Sequence, residues 1–340
     1  MRRFIPALLL AACHASADHA APDGPAANAD AAPTADARTT FCEATSPRTV
    51  PVVVSPTPED GETPYLTALA IAQSRIRVEI YEMGYGGILD ALTADAMAGM
   101  DVKIIFDTSE QSVNQKYHDQ LQAAGAQVAW SSPQFTYQHA KFIVIDDATA
   151  VISTGNFSKE YSIDLERNFV ATDSDPADVA DLGSLFDADW AGTTPTMSCT
   201  RMIISPINSR ERILDVINGA QQTLTIESMQ FADSAVRAAV ANRVHAGVAV
   251  RAMIADAGWV SANAEAATYL KGLGIEVKWI PHLHTKVLVA DGAVAYMGSE
   301  NLSETSLDHN REAGVVVIDP SSLAPLMTTF ETDWAAGTDF

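Results

Sequence analysis

The stretch His139-Ala140-Lys141-Phe142-Ile143-Val144-Ile145-Asp146, followed by Ser153-Thr154-Gly155-Asn156, has a second copy 145 residues on. That copy reads His284-Thr285-Lys286-Val287-Leu288-Val289-Ala290-Asp291 and Gly298-Ser299-Glu300-Asn301. A repeat kept by packing alone would preserve apolar positions. This one preserves an imidazole, an ammonium, a carboxylate, a hydroxyl and an amide, so what the copies share is chemistry.

Around the two motifs the duplication widens. Each half opens on a short apolar strand running into Ser55-Pro56 or Ser205-Pro206. Each closes on a helical segment ending Phe-x-x-Asp-Trp, Phe186 to Trp190 and Phe330 to Trp334. Periodicity predicts strand, helix, strand, helix over 76–81, 88–97, 102–106 and 117–124, and again over 223–227, 234–245, 248–254 and 262–273. Such alternation implies an α/β sandwich in which helices cover a sheet. Phe142–Ile145 and Val287–Val289 are β-rich, so each His and Lys, two apart, is expected on one face of a strand. Asp146 and Asp291 supply the following turns, and a second short strand leads to the loop with Thr154 and Asn156, or Ser299 and Asn301.

An ammonium balances the charge of a phosphate, while hydroxyl and amide groups hydrogen-bond its oxygens. Two copies related by a pseudo-twofold axis place a histidine on each side of one phosphorus atom, one to attack and one to protonate the leaving oxygen. No metal and no cofactor are required. His282-x-His284 has the spacing of a strand zinc pair, but no third ligand accompanies it.

His-x-Lys-x4-Asp followed by Gly/Ser-Ser/Thr-x-Asn, twice in one chain, resembles the signature of the phospholipase D superfamily, and the likeness covers the chain beyond about Val50. The resemblance implies an α-β-α-β-α sandwich with one active site where the two halves meet, and reaction through a phosphohistidine. It makes His139 the nucleophile and His284 the general acid, then base. Lys141, Lys286, Asn156 and Asn301 become phosphate ligands, supported by Thr154 and Ser299. Asp146 and Asp291 belong to the motif's catalytic set, although their odd separation from the histidines suits a turn role. Asn310-Arg311-Glu312 resembles the element whose acidic residue holds a catalytic imidazole, but the matching Glu166-Arg167-Asn168 offers an amide. A carboxylate fixes the tautomer and stabilises imidazolium, whereas an amide does only the first. Which histidine attacks is therefore open to exchange.

The remaining features bound where such a chemistry works. Arg2 and Arg3, the apolar run 4–12 and Leu10-Ala11-Ala12-Cys13 read as an export signal ending in a lipobox-like tetrapeptide, with Cys13 the lipidated residue. The other reading is an ordinary signal cut near Ala17. Residues 13–41 are Ala-, Asp- and Pro-rich and are expected to form a tether, with the two halves over 42–199 and 200–340. An exported, membrane-anchored bacterial lipoprotein, monomeric, at the periplasmic or cell surface, is the expectation. Cys42 and Cys199 flank the first half and are read as a disulfide, with two inert buried thiols as the alternative. A formal net charge of −22 repels polyanions and disfavours nucleic acid. Phospholipid, concentrated beside an anchored protein, is the preferred substrate. The expected reaction is hydrolysis or transphosphatidylation of its head-group phosphodiester; a secreted nuclease, a silent phosphate-binding lipoprotein and a transferase that joins two lipids, as in cardiolipin synthesis, are the alternatives. Tyr81, Met83, Tyr85, Met229 and Phe231 form either an apolar wall for an acyl chain or ordinary core.

Overall fold

A computed structural model describes residues 42–197 and 199–340. The expectations for the leader, Cys13 and the tether to residue 41 lie outside the described residues. In the first half the strands are β1 (Val53–Thr57), β2 (Arg75–Ile80), β3 (Asp101–Phe106), β4 (Gln127–Trp130), β5 (Phe142–Ile145), β6 (Thr149–Ser153) and β7 (Asn168–Asp173). Its helices are α1 (Thr63–Leu69), α2 (Gly87–Met97), α3 (Gln111–Ala124) and α4 (Pro176–Ala191). The second half has β8 (Ile203–Ser205), β9 (Thr223–Ser228), β10 (Ala249–Ala255), β11 (Glu276–Ile280), β12 (Lys286–Ala290), β13 (Val294–Gly298), β14 (Glu312–Val317) and β15 (Thr338–Asp339). Its helices are α5 (Ser209–Gly219), α6 (Ser234–His245), α7 (Asn263–Gly272) and α8 (Pro320–Ala336).

The first sheet runs β1-β7-β6-β5-β2-β3-β4 and the second β8-β14-β13-β12-β9-β10-β11-β15, the same order with one edge strand added. In both, three strands are parallel and the rest antiparallel. Strand alternation distributes the core. Phe142 and Val144 pack with Val287 and Val289 in a layer between the sheets that also takes Leu182, Leu185 and Phe186 of α4 and Leu323 and Leu326 of α8. Ile143 and Ile145 turn the other way, onto α1 to α3, and Leu288 and Ala290 onto α5 to α7. Five layers result, helices outside, sheets within, and α4 with α8 at the centre. β5 and, after Lys286, β12 are buried on both faces and read as continuous apolar runs.

Polar bonds across the centre are reciprocal. Arg311 of the second half grips Asp189 of α4 through two bonds, 2.7 and 2.9 Å. Arg167 of the first half grips Asp333 of α8 in the same way, 2.6 and 3.0 Å. The backbones pair at the same two places: His139 N–H to Arg311 O and Arg311 N–H to Tyr137 O, both 2.8 Å, against Arg167 N–H to His282 O at 2.9 Å and His284 N–H to Arg167 O at 3.1 Å. The repeated Asp of each Phe-x-x-Asp-Trp thus serves the opposite half.

Cys42 and Cys199 are joined in a disulfide. The segment after Cys42 crosses both halves: Arg48 bonds Asp178 at 2.6 Å and the Val316 carbonyl at 2.7 Å, and Arg212 donates to the Cys42 carbonyl. Among the described residues no helix is long and apolar enough to cross a membrane.

Several expectations need adjustment. α3 starts at Gln111 rather than near Tyr117 because its first turn is polar and largely exposed and carries no periodic signal. α1, α5, β4 and β11 are short or half-exposed elements that alternation alone does not reveal. His139 and Lys141 precede β5 instead of lying in it, since the His139 N–H is bonded across the interface to Arg311.

Removing one partner of a buried, bidentate pair strands the other charge. Asp189→Ala is expected to lower stability by about 3–5 kcal/mol, read as a fall in denaturant midpoint. Arg311→Met in the same chain should return part of that loss.

Candidate active site

β5 and β12 share the apolar layer between the two sheets, with His139 and Lys141, and His284 and Lys286, at their starts. His139 and His284 are 8% and 6% exposed, and Lys141 and Lys286 are wholly buried. Each lysine bends back onto the carbonyl of its own histidine, 2.5 Å in both cases, and Lys286 also donates to the Thr154 carbonyl at 3.2 Å. Lys141 lies 5.0 Å from the Tyr81 ring centroid. The same ring meets His139 edge-on at 4.6 Å and donates its hydroxyl to Glu110. Trp259 flanks His284 at 6.2 Å.

Each imidazole is held from the opposite half. His139 Nδ1 lies 2.7 Å from Glu312 Oε2. Glu312 is buried and also accepts from Ser306 at 2.5 Å and from Asn310 at 2.9 Å. Burial opposes its charge, but the His139 imidazole and Lys141 ammonium hold its proton affinity below the usual carboxylate range. An ionised carboxylate only accepts, so Nδ1 carries the hydrogen and Nε2 presents its lone pair to the cleft.

His284 Nδ1 lies 3.0 Å from Asn168 Oδ1. That oxygen also accepts from Thr154 Oγ1 at 2.9 Å, while Asn168 Nδ2 donates to the Ser162 carbonyl, which settles the amide's orientation. Glu166 stands 3.7 Å from the same ring nitrogen. Gly155 permits this packing, since a Cβ there would fall 2.5 Å from the Asn168 amide.

Both imidazoles are driven toward the neutral form. Burial is the main cause at His139, with Glu312 opposing it and Lys141 adding to it. At His284 burial acts together with Lys286, Lys141 and His139, so its proton affinity falls well below the ordinary value. That each lysine's charge reaches the histidines of both halves makes this a single site.

Asn156 and Asn301 occupy matching turns. Their backbone N–H groups donate to Ser162 at 3.0 Å and to Ser306 at 2.9 Å. Thr154 and Ser299 are buried and receive the N–H groups of Phe169 and Ala313, tying each motif loop to β7 or β14. Asn156 also donates to Glu82, a carboxyl that burial and neighbouring Glu110 push up to about 7.

Asp146 and Asp291 are corrected out of the catalytic set. Each lies five positions of extended chain beyond its lysine, about 16 Å at the usual strand rise. The Asp146 carboxylate accepts from the N–H groups of Gln73, Ser74 and Arg75, and Asp291 from those of Gln221, Gln222 and Thr223. Burial works against the charge on Asp146, but the Ser74 hydroxyl and the three amides hold it down to about 2. These groups anchor the start of β2 and β9. The aromatic and methionine cluster also divides: Met83 and Phe231 are core, Tyr81 borders the site, Met229 packs against the small core cluster that Trp259 also joins, and Tyr85 is exposed. His282 is exposed and contributes its carbonyl to Arg167.

Sequence reasoning missed Ser162 and Ser306, Glu82 and Trp259. The two serines were within reach, because Ser158 to Asn168 aligns with Ser303 to Glu312 once one residue, Glu160, is treated as an insertion.

Comparison with known proteins agrees with this architecture. The family described as "Cardiolipin synthase, PLD-like domain" matches residues 65–190 and 213–334. A cardiolipin synthase of Clostridium perfringens is 26% identical over 285 residues, 68% of this chain and 58% of that protein. The chain therefore spans somewhat over half the length of such relatives. Among solved structures, phosphatidylserine synthase from Haemophilus influenzae superposes with a TM-score of 0.66 at 14% identity, covering 85% of this chain and 87% of its own. A polyphosphate kinase from Porphyromonas gingivalis gives 0.64 at 18% identity, over 82% of this chain and 46% of that one. At those identities the likeness speaks to the fold.

In histidine NMR titrations His139 and His284 should both protonate below the ordinary 6.5, His284 the lower. Glu312 raises the proton affinity of His139, so Glu312→Gln should move that titration further down and leave His284 nearly where it was.

Proposed function

The chain belongs to the phospholipase D superfamily, and on that footing we propose that it is a phosphodiesterase that cleaves or exchanges phospholipid head groups through a phosphohistidine. The observation that carries the proposal is the pair of buried imidazoles, each fixed at Nδ1 from the opposite half, with two buried lysines beside them.

The partners divide the work. A carboxylate on Nδ1–H strengthens Nε2 as a nucleophile and stabilises the cation formed when that nitrogen is phosphorylated. Glu312 therefore makes His139 the attacking group. Asn168 orients His284 without holding positive charge on it, which suits a group that must release a proton and later take one. His139 Nε2 bonds to phosphorus, the phosphorus–oxygen bond to the head-group alcohol breaks, and His284 gives that oxygen its proton. His284 then removes a proton from water or an acceptor alcohol, whose oxygen attacks phosphorus while the phosphorus–nitrogen bond breaks.

Lys141 and Lys286 balance the charge of the non-bridging oxygens, with Asn156 and Asn301 as amide ligands and Thr154 and Ser299 holding their loops. The diester's own charge favours the proton on His284 that the empty, cationic site disfavours. No cofactor takes part in these steps. An exported protein anchored at Cys13, with a tether to residue 41 and halves over 42–199 and 200–340, would meet its substrate at a membrane surface.

The test pairs phosphatidylcholine vesicles with single-stranded DNA, with ethanol added to the lipid arm. Phosphatidic acid and phosphatidylethanol should form, and His139→Ala should cost at least about 10²–10⁴ in rate. DNA cleavage with inert lipid would make the protein a nuclease instead. Excess chelator should leave the rate unchanged, and a loss restored by zinc would overturn the metal-free scheme.

Catalysis needs one proton shared between two imidazoles that both bind protons weakly. The bell of kcat/KM against pH should therefore centre below 6.5 and fall as pH rises. An optimum above neutrality would remove these roles.

A further inference from the structure

The turn that closes the first half of the site has a second face. Ser162 points inward, accepting the Asn156 N–H and donating to Glu166 at 2.8 Å, and Ile163 is buried beside it. Tyr161 and Leu165, in the same turn, are 51% and 48% exposed. The loop after β2 lies against this turn: Lys159 N–H donates to the Tyr85 carbonyl, and a Cβ at Gly84 would fall 2.7 Å from that of Ser158. It adds Tyr85, 64% exposed. Lys116 of α3 lies 4.7 Å from the Tyr85 ring, and the Tyr161 phenol is within its electrostatic reach.

The fold does not require this apolar rim. In the pseudo-equivalent turn of the second half, Ser306 and Leu307 are buried as Ser162 and Ile163 are. The positions matching Tyr161 and Leu165 carry Thr305 and His309, both exposed and polar. Identical backbone needs are thus met without exposed apolar side chains, and one half alone has acquired them beside the cleft.

We propose that Tyr85, Tyr161 and Leu165, with Lys116, dock the mouth of the site onto a bilayer of near-neutral surface charge. Tyrosine and lysine have an apolar body and a polar tip, the character that settles at the head-group layer, and leucine reaches past it. The charge of the patch is close to balanced, since Lys159 pairs with Asp164, and Lys116 and Glu160 carry one charge of each sign. A chain of net charge −22 is repelled by an anionic leaflet, so zwitterionic lipid is the complementary surface. The docking rests on the phospholipid reading above for its purpose.

The test uses the full chain with Cys13→Ser, so that no acyl chain or extra thiol contributes, and with His139→Ala, so that vesicles stay intact. A polarity-sensitive dye is placed on Leu165→Cys or, as the matched control, on His309→Cys. Phosphatidylcholine vesicles should shift the emission at 165 to shorter wavelength and leave 309 unchanged. Adding phosphatidylglycerol should weaken the response.

Tyr161→Thr with Leu165→His, the pair the other half already tolerates, should weaken vesicle activity roughly tenfold or more in a chain with its histidines intact, while a water-soluble phosphodiester is turned over as before. No shift at 165, equal shifts at both positions, or full vesicle activity in the double variant overturns the docking. Insertion at 165 by a chain that leaves vesicle lipid uncleaved upholds the docking and removes the phospholipid reading. Cleavage without insertion does the reverse.

Discussion

Two guanidinium–carboxylate pairs crossing the centre of the molecule set the geometry on which the rest depends. Arg311 reaches Asp189 and Arg167 reaches Asp333, each with two bonds. The same arginines exchange backbone hydrogen bonds with the segments that carry His139 and His284. An arginine fork is directional and planar, so it specifies orientation as well as attraction. One residue further along the chain from each arginine is the group that holds the opposite imidazole, Glu312 or Asn168. Cross-half docking and imidazole positioning are in this way a single constraint.

The site works against the chain's own electrostatics. In a strongly acidic protein, two ammonium groups are withdrawn wholly from water beside two imidazoles. Desolvating charge is costly, and the imidazoles give up protons first because a neutral ring escapes both burial and the neighbouring cations. The lysines remain, turned back onto carbonyls of their own segment. On the proposed function, arrival of a phosphodiester anion would relieve that imbalance, and the field that suppresses protons in the site would be the field that recognises the ligand.

Much of this was legible before any coordinates. The spacing of the two motifs placed β5, β6, β12 and β13 to within a residue or two, because β-rich runs bounded by Asp turns leave little freedom. The duplication gave the convergence of His139, Lys141, His284 and Lys286. What it did not give was who partners whom. Glu312 on His139 and Asn168 on His284 are contacts between residues 173 and 116 positions apart, and no local pattern encodes a pairing across a pseudo-twofold axis. Asp146 and Asp291 follow the turn role that their odd separation from the histidines suggested. They travel with the histidines in sequence, yet strand length carries them to the far end of the sheet, where they cap backbone amides. Ser162 and Ser306 went unseen because one inserted residue, Glu160, shifts the two turns out of step.

The pattern in which residue i of one half meets residue j of the other, and j meets i, is that of an isologous interface. A chain of half this length, paired with a copy of itself, would make the same arginine locks and fill the same histidine partnerships twice over. In such a homodimer every substitution appears on both sides of the axis, so the two imidazoles must remain alike. Joining the copies in one polypeptide removes that symmetry. Carboxylate on one side and amide on the other, Tyr and Leu on one rim and Thr and His on the other, are differences that only a fused dimer can inherit.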